Sequence, residues 1–113
     1  MSHLFFAVRI YKLYQYLVET KKEYVLSRQV LRSGTSIGAN VREAYNASSK
    51  NDFIYKLSIA QKEADETIYW LELLKEVGLL NEKEVDSIRM EATELLKIIR
   101  SSILTAKKNA GSK

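Results

Sequence analysis

Apolar residues recur every three or four positions along most of the chain, and this spacing predicts four α-helices. The first helix runs from about Leu4 to Thr20. The second begins after Leu26, with Ser27 as its N-cap, and continues to about Ala47. Because the chain contains no proline, nothing in its composition forces these helices to break.

Capping residues mark the ends of the other two helices. The third helix starts between Ser49 and Asn51 and ends at Gly78, a residue suited to the left-handed conformation that closes many helices. The fourth helix opens with Asn81 and Glu84, which nearly match a capping box.

The fourth helix is expected to run to Lys108. Residues 109–113 are then a short C-terminal tail that we expect to be disordered. Residues 1–108 are therefore predicted to form a single domain.

Each predicted helix carries one apolar stripe that would face a shared core. In the first helix the stripe is Phe6, Ile10, Leu13, Tyr14 and Leu17. In the second it is Val30, Gly34, Ile37, Val41, Ala44 and Tyr45. In the third it is Phe53, Leu57, Ala60, Ala64, Ile68 and Leu71. In the fourth it is Val85, Ile88, Ala92, Leu95, Ile99, Ser102 and Ala106. Four amphipathic helices joined by short connections predict an all-α, antiparallel, up-and-down four-helix bundle.

The middle of the second helix is rich in small residues, although glycine disfavours helix by about 1 kcal/mol relative to alanine. Gly34 and Gly38 have the G-x-x-x-G spacing of closely packed helices. Arg32 and Arg42 flank this pair, so a contact with a neighbouring helix in water is a better interpretation than a membrane dimer.

Composition excludes several kinds of chemistry. The 113 residues include no cysteine and one histidine, His3, so neither a thiol nucleophile nor a Ser-His-Asp triad nor a histidine-rich metal site is predicted. Glu63 and Glu66 have the i, i+3 spacing of di-metal bundles but lack the accompanying histidines. We therefore predict no enzyme activity, no metal, no cofactor and no small-molecule substrate, and we expect a cytoplasmic protein without a membrane segment.

The third helix carries a second set of large apolar residues on the side away from its stripe. These residues are Tyr55, Ile59, Tyr69, Trp70 and Leu73. Because one small bundle cannot bury both sides of a helix, this face predicts contact with further copies of the chain. The alternative is that the aromatic rings only widen the core stripe.

Three arginines form a stripe on the second helix, facing away from its apolar side. At 100° per residue, Arg32 and Arg42 lie within about 40° of Arg28, and Lys50 lies just beyond them. With a net charge of +4, this arginine stripe predicts contacts with the phosphates of RNA or DNA. The alternative is a solvated face, or pairing with acidic residues of the third helix in another subunit.

The small-residue segment Ser33 to Ala44 resembles part of a known bacterial family, and its most specific element is Ser-Ile-x-Ala-Asn-x-x-Glu at Ser36 to Glu43. In the third helix the matching residues are Phe53, Leu57, Ile59, Ala60, Glu63, Ala64, Glu66, Trp70 and Leu71. On these residues the chain resembles the four-helix-bundle proteins encoded within intervening sequences of 23S ribosomal RNA genes.

This resemblance implies an up-and-down bundle and, for related proteins, a ring or barrel of five subunits with a basic central channel. Similar in fold are accessory proteins of diversity-generating retroelements, which bind nucleic acid beside a reverse transcriptase. The resemblance supplies no catalytic residue. Within the motif, Ser36, Asn40 and Glu43 share one polar ridge, which we expect to form hydrogen bonds across a helix or subunit contact.

Two functions remain open at this point. The first is a homo-oligomer that binds nucleic acid through phosphates without reading sequence. The second is a structural or adaptor protein that binds another protein and has no nucleic-acid role.

Overall fold

The computed structural model describes residues 3–110, which form four α-helices joined by short turns. The helices are α1 (His3–Glu19), α2 (Leu26–Tyr45), α3 (Lys50–Glu76) and α4 (Glu82–Ala110). Residues 3–110 contain no β-strand, which confirms the all-α prediction. Each helix packs against the next, and α4 closes back onto α1, giving a bundle of 54 × 22 × 20 Å.

One hydrophobic core lies between the four helices. The predicted stripes supply most of it, from Phe6, Ile10 and Leu17 of α1 to the continuous series along α4. The prediction is wrong for Tyr45, which is 71% exposed because it is the last residue of α2 and extends beyond the core.

The sequence predicted three of the helix ends well. The Ser49 hydroxyl accepts a hydrogen bond from the backbone N–H of Asp52 at 3.0 Å and caps α3. Gly78 follows α3 with φ +80°, the left-handed conformation expected of it. Asn81 and Glu84 each accept the other's backbone N–H at 2.8 Å, a complete capping box before α4.

The start of α2 differs from the prediction. Ser27 lies inside the helix and is fully buried, so it is not the N-cap. Instead the Glu23 carboxylate accepts the backbone N–H groups of Val25, Leu26 and Ser27 at 3.2, 3.0 and 2.7 Å. One carboxylate from the preceding turn thus satisfies three N–H groups that the helix cannot bond itself.

The C-terminus also differs from the expected boundary. Asn109 and Ala110, which the sequence analysis assigned to a disordered tail, continue α4. Residues 111–113 of that tail lie outside the described residues.

The two glycines of α2 allow α1 to approach closely, as the G-x-x-x-G spacing predicted. A Cβ atom at Gly34 would lie 2.8 Å from both Cγ atoms of Ile10, and one at Gly38 would lie 2.8 Å from Nδ1 of His3. These separations are shorter than van der Waals contact, so neither position has room for alanine without movement. The contact therefore sets the register of α1, whose first described residue lies beside Gly38.

The start of α1 lies close to the last turns of α2, because His3 borders one cavity with Val41 and Tyr45 and another with Arg42 and Glu43. Nearer its middle, α1 is tied to α4 by Arg9, which forms an ion pair with Glu91 and donates a 3.2 Å hydrogen bond to Ser87.

We expect Gly34→Ala to lower the free energy of unfolding by about 1–3 kcal/mol, because its methyl group meets the buried Ile10 side chain. Gly38→Ala is the matched control and should destabilise less, since the half-exposed His3 ring at the start of α1 has room to turn away. In an Ile10→Ala background the effect of Gly34→Ala should vanish. Urea denaturation of the single and double variants measures this coupling, and equal losses for the two glycines would contradict it.

Glu23 should make stability depend on pH. Burial raises the pKa of Glu23, but the three backbone N–H groups outweigh it and hold the pKa below its ordinary 4.5. A lowered folded-state pKa means that the contribution is complete above the unfolded value and is lost as pH falls through the folded one.

Glu23→Gln is therefore expected to lower the free energy of unfolding by about 1 kcal/mol at pH 7, with a smaller difference from wild type below about pH 4.5. Glu19→Gln, at the exposed end of α1, is the control for the change in net charge. Urea denaturation at a series of pH values measures both. A deficit that stays constant down to pH 2 would refute the capping role of the ionised carboxylate.

Candidate nucleic-acid and subunit surfaces

Two members of the arginine stripe extend into solvent. Arg28 near the start of α2 and Arg42 near its end are exposed, and neither forms an ion pair with any carboxylate of residues 3–110. The helical rise places them roughly 21 Å apart. Lys50, the exposed first residue of α3, is likewise unpaired within that range.

Arg32 has a different environment. Its guanidinium bonds both Glu63 oxygens, at 3.2 and 3.3 Å, and also pairs with Glu66, so it bridges α2 to α3 within one chain. The hydrogen bond that Arg32 donates to Glu66 is the largest contribution that raises the pKa of Arg32 above its ordinary value. Two carboxylates offset this charge, so Arg32 is less available to a phosphate than Arg28 or Arg42.

Glu66 is itself held from two sides. Burial raises its pKa, but hydrogen bonds from Trp70 and Arg32 outweigh burial and lower the pKa below its ordinary value. The Trp70 indole donates to Glu66 Oε1 at 3.1 Å. The carboxylate therefore stays ionised and couples the arginine stripe to the outer side of α3.

The second apolar face of α3 divides into two parts. Trp70 is half-buried against the core and its ring makes an edge contact with Tyr69 at 5.1 Å, so within the chain Trp70 does widen the core. Tyr55 and Tyr69 are 61% and 57% exposed. Ile59 and Leu73 are half-buried on the same side.

The outer side of α1 is a further exposed apolar surface, which the sequence analysis did not identify. Leu4, Val8 and Tyr11 follow one another at spacings of four and three and are 58%, 46% and 51% exposed. They lie opposite the buried residues Phe6 and Ile10. The signal was present in the sequence, since α1 is apolar on both sides, but the whole helix was interpreted as core.

These two faces lie on opposite sides of the molecule. α1 and α3 each pack against α2 and α4, and therefore lie at diagonal corners of the bundle. A contact between the α1 face of one copy and the α3 face of the next would be heterologous, the kind of contact that generates rings or filaments.

The polar ridge of α2 forms mainly local hydrogen bonds. Ser36 donates to the carbonyl of Arg32 at 2.6 Å, and Asn40 donates to the carbonyl of Ser36 at 2.9 Å. Of the three ridge residues, Glu43 reaches a neighbouring helix within the chain, forming an ion pair with Lys56 of α3 at 2.8 Å.

The polar side chains between the helices form contacts that hold the helices together. Thr67 of α3 donates a 2.9 Å hydrogen bond to Ser33 of α2, and both hydroxyls are buried. Among residues 3–110, no group of three His, Cys, Asp or Glu side chains is placed to hold a metal ion. Glu63 and Glu66 instead bind Arg32.

None of the helices in the described part of the chain combines sufficient length with sufficient apolar character to cross a bilayer.

Comparison with known proteins agrees with the resemblance seen in the sequence. The model of the family described as "23S rRNA-intervening sequence protein" matches residues 3–101. A solved structure, of a protein of unknown function from the S23 ribosomal protein family of Bacteroides thetaiotaomicron VPI-5482, is 54% identical to the chain and superposes with a TM-score of 0.88. That match covers 89% of this chain and 94% of the other. No curated protein sequence matches significantly. Because the family model spans most of the chain, the protein belongs to the 23S rRNA-intervening sequence protein family.

Proposed function

We propose that the protein is a non-enzymatic homo-oligomer that binds nucleic acid through phosphate contacts without reading sequence. The observation that carries this proposal is the set of exposed, unpaired cations along α2 and at the start of α3: Arg28, Arg42 and Lys50. Guanidinium and ammonium groups in this arrangement suit a run of phosphates, and the net charge of +4 has the sign that a polyanion requires.

Arg32 has a supporting role in this proposal. Its charge is offset by Glu63 and Glu66, so it fixes α2 against α3 more than it adds to the attraction for phosphate. The phosphate site then consists of Arg28, Arg42 and Lys50, with Arg32 as its anchor.

Self-association is the second part of the proposal. The α1 face of Leu4, Val8 and Tyr11 would dock on the α3 face of Tyr55, Ile59, Tyr69 and Leu73 in the next copy, and Trp70 would support the α3 face from behind. Exposed Lys12 borders the first face, and exposed Lys62 and Asp65 lie beside the second. A ring built this way would repeat the cations of α2 around the assembly, and five subunits is the number that the family resemblance predicts.

An adaptor function is the alternative, and one observation favours it. Arg32 is already satisfied within the chain, which weakens the stripe as a phosphate site, while the apolar faces of α1 and α3 would serve a protein partner equally well. Since the chain lacks cysteine, both functions fit the cytoplasmic location that we propose.

The first prediction concerns salt. Arg28→Gln with Arg42→Gln should weaken binding to short labelled RNA and DNA and reduce the slope of log K against log salt by about 1.8 for duplex and about 1.4 for single strands. Fluorescence anisotropy at several salt concentrations measures the slope. Lys22→Gln with Lys83→Gln, exposed lysines outside the stripe and outside both apolar faces, is the matched control. Equal slopes for both double variants, or no binding by wild type at low salt, would contradict the phosphate site and favour the adaptor alternative.

The second prediction concerns the two apolar faces. Val8→Asp on α1 and Tyr55→Asp on α3 should each reduce the assembly to monomers of 13.0 kDa in light scattering. Met90→Asp, an equally exposed apolar residue on the outer side of α4, should leave the assembly intact.

Mixing the two defective variants tests the heterologous geometry directly. Each retains the face that the other has lost, so an equimolar mixture should form a species of two chains. If the mixture remains monomeric, or if either variant alone still assembles, the pairing of the α1 face with the α3 face is wrong.

A further inference from the structure

Charge is distributed unevenly along the bundle. The end formed by residues 38–57 and 95–110, which we call the basic end, holds seven cations and two carboxylates, a net charge of +5. The cations are Arg42, Lys50, Lys56, Lys97, Arg100, Lys107 and Lys108, and the carboxylates are Glu43 and Asp52. The other described residues, 3–37 and 58–94, hold ten cations and twelve carboxylates, a net charge of −2. The positive charge is thus concentrated at the end formed by the last turns of α2, the start of α3 and the end of α4.

A groove with two sections lies at this end. One section, of about 150 Å³, extends from His3 along α4, with an apolar floor that includes Val41, Leu57 and Ile99. The next section, of about 470 Å³, lies between the start of α3 and the end of α4. Ser102 lines both sections, so they lie next to each other.

The exposed aromatic ring of Tyr45 lies at this groove. Tyr45 is 71% exposed and makes an edge contact with Phe53 at 5.7 Å between ring centres. Tyr45 lines the first section and Phe53 the second. Phe53 therefore supports part of the tyrosine ring, and most of the Tyr45 side chain is exposed to solvent.

The walls of the wider section suit a sugar–phosphate backbone. They consist of Lys50, Ser101, Ser102, Thr105 and Asn109, with Phe53 and Ala106 as the apolar part. Hydroxyl, amide and ammonium groups are the side chains that contact phosphate and sugar oxygens in nucleic-acid complexes. Lys107 and Lys108 extend the positive surface along the last turns of α4.

We propose that the basic end binds single-stranded nucleic acid, with an unpaired base stacked on Tyr45 and the backbone passing Lys50 toward the end of α4. This inference rests on the proposed function and specifies its substrate class. Sequence-tolerant binding to single strands combines a positive groove with aromatic stacking, and this end of the bundle has both. A duplex keeps its bases stacked on one another, so it gains only the phosphate contacts.

The test compares a short labelled single strand with a duplex of the same sequence, using full-length protein and fluorescence anisotropy. Tyr45→Leu should weaken single-strand binding roughly 5- to 150-fold, the effect of losing one stacked base, and should leave duplex binding unchanged. Tyr45→Trp should preserve single-strand affinity. Tyr24→Leu, an exposed tyrosine at the opposite end of the bundle, is the matched control and should have no effect.

A direct signal of stacking is available because Trp70 is the chain's one tryptophan. In a Trp70→Phe background, Tyr45→Trp places the fluorophore at the proposed site, and a stacked base should quench it. Circular dichroism of each variant checks that the bundle is intact, which Tyr45 as an exposed helix-end residue should not disturb.

The outcomes separate this inference from the proposed function. Salt-dependent binding that is equal for both strands and insensitive to Tyr45 would overturn the single-strand site while leaving the phosphate function standing. No binding of either nucleic acid at low salt would overturn both. Single-strand preference that disappears in Tyr45→Leu and persists in Tyr45→Trp would support both.

Discussion

The contact of α1 with the two glycines of α2 determines how the rest of the surface is presented. Ile10 occupies the space that a side chain at Gly34 would take, and His3 occupies the space beside Gly38. This contact fixes the register of α1 along the bundle, while Arg28 and Arg42 of α2 remain exposed to solvent. His3, at the start of α1, borders the groove of the basic end.

Charged side chains are distributed unevenly over the surface of the bundle. Carboxylates of α3 pair with Arg32, and the strongly acidic start of α4 lies at the end of the bundle remote from Lys50 and Lys107. Among the described residues, Arg28, Arg42 and Lys50 are exposed cations without an ion pair, as are Lys12, Lys62 and Lys83 elsewhere on the surface. Exposed apolar side chains lie on the outer sides of α1 and α3 and also on α4, at Met90, Ile98 and Leu104. The faces proposed for association and the cations proposed for a polyanion consist of different residues.

Much of the fold could be predicted from interactions between residues that are close in sequence. Helix periodicity gave four helices, and the caps at Ser49, Gly78 and Asn81 follow from interactions within a few residues, which sequence displays directly. Ser27 is not the N-cap because Glu23, three residues before the first residue of α2, accepts hydrogen bonds from three N–H groups at the start of the helix. Tyr45 fits the apolar period but lies where the core ends.

The surroundings of the candidate site residues could not be predicted from helix periodicity alone. That Arg32 pairs with Glu63 and Glu66 follows from the register of α2 against α3, which is set by packing such as the buried Ser33–Thr67 hydrogen bond. The groove at the basic end depends on the start of α1 relative to Gly38. Helical wheels compare residues around one helix and do not compare positions along neighbouring helices, so the clustering of Lys50 with Lys107 and Lys108 could not be read from them.

The most direct measurement is ultraviolet cross-linking of a labelled single-stranded oligonucleotide to the protein, followed by mapping of the modified peptides. The account predicts cross-links in peptides from the end of α2, the start of α3 and the end of α4, and fewer of them as salt is raised. Cross-links confined to the outer sides of α1 and α3, or none at low salt, would contradict it.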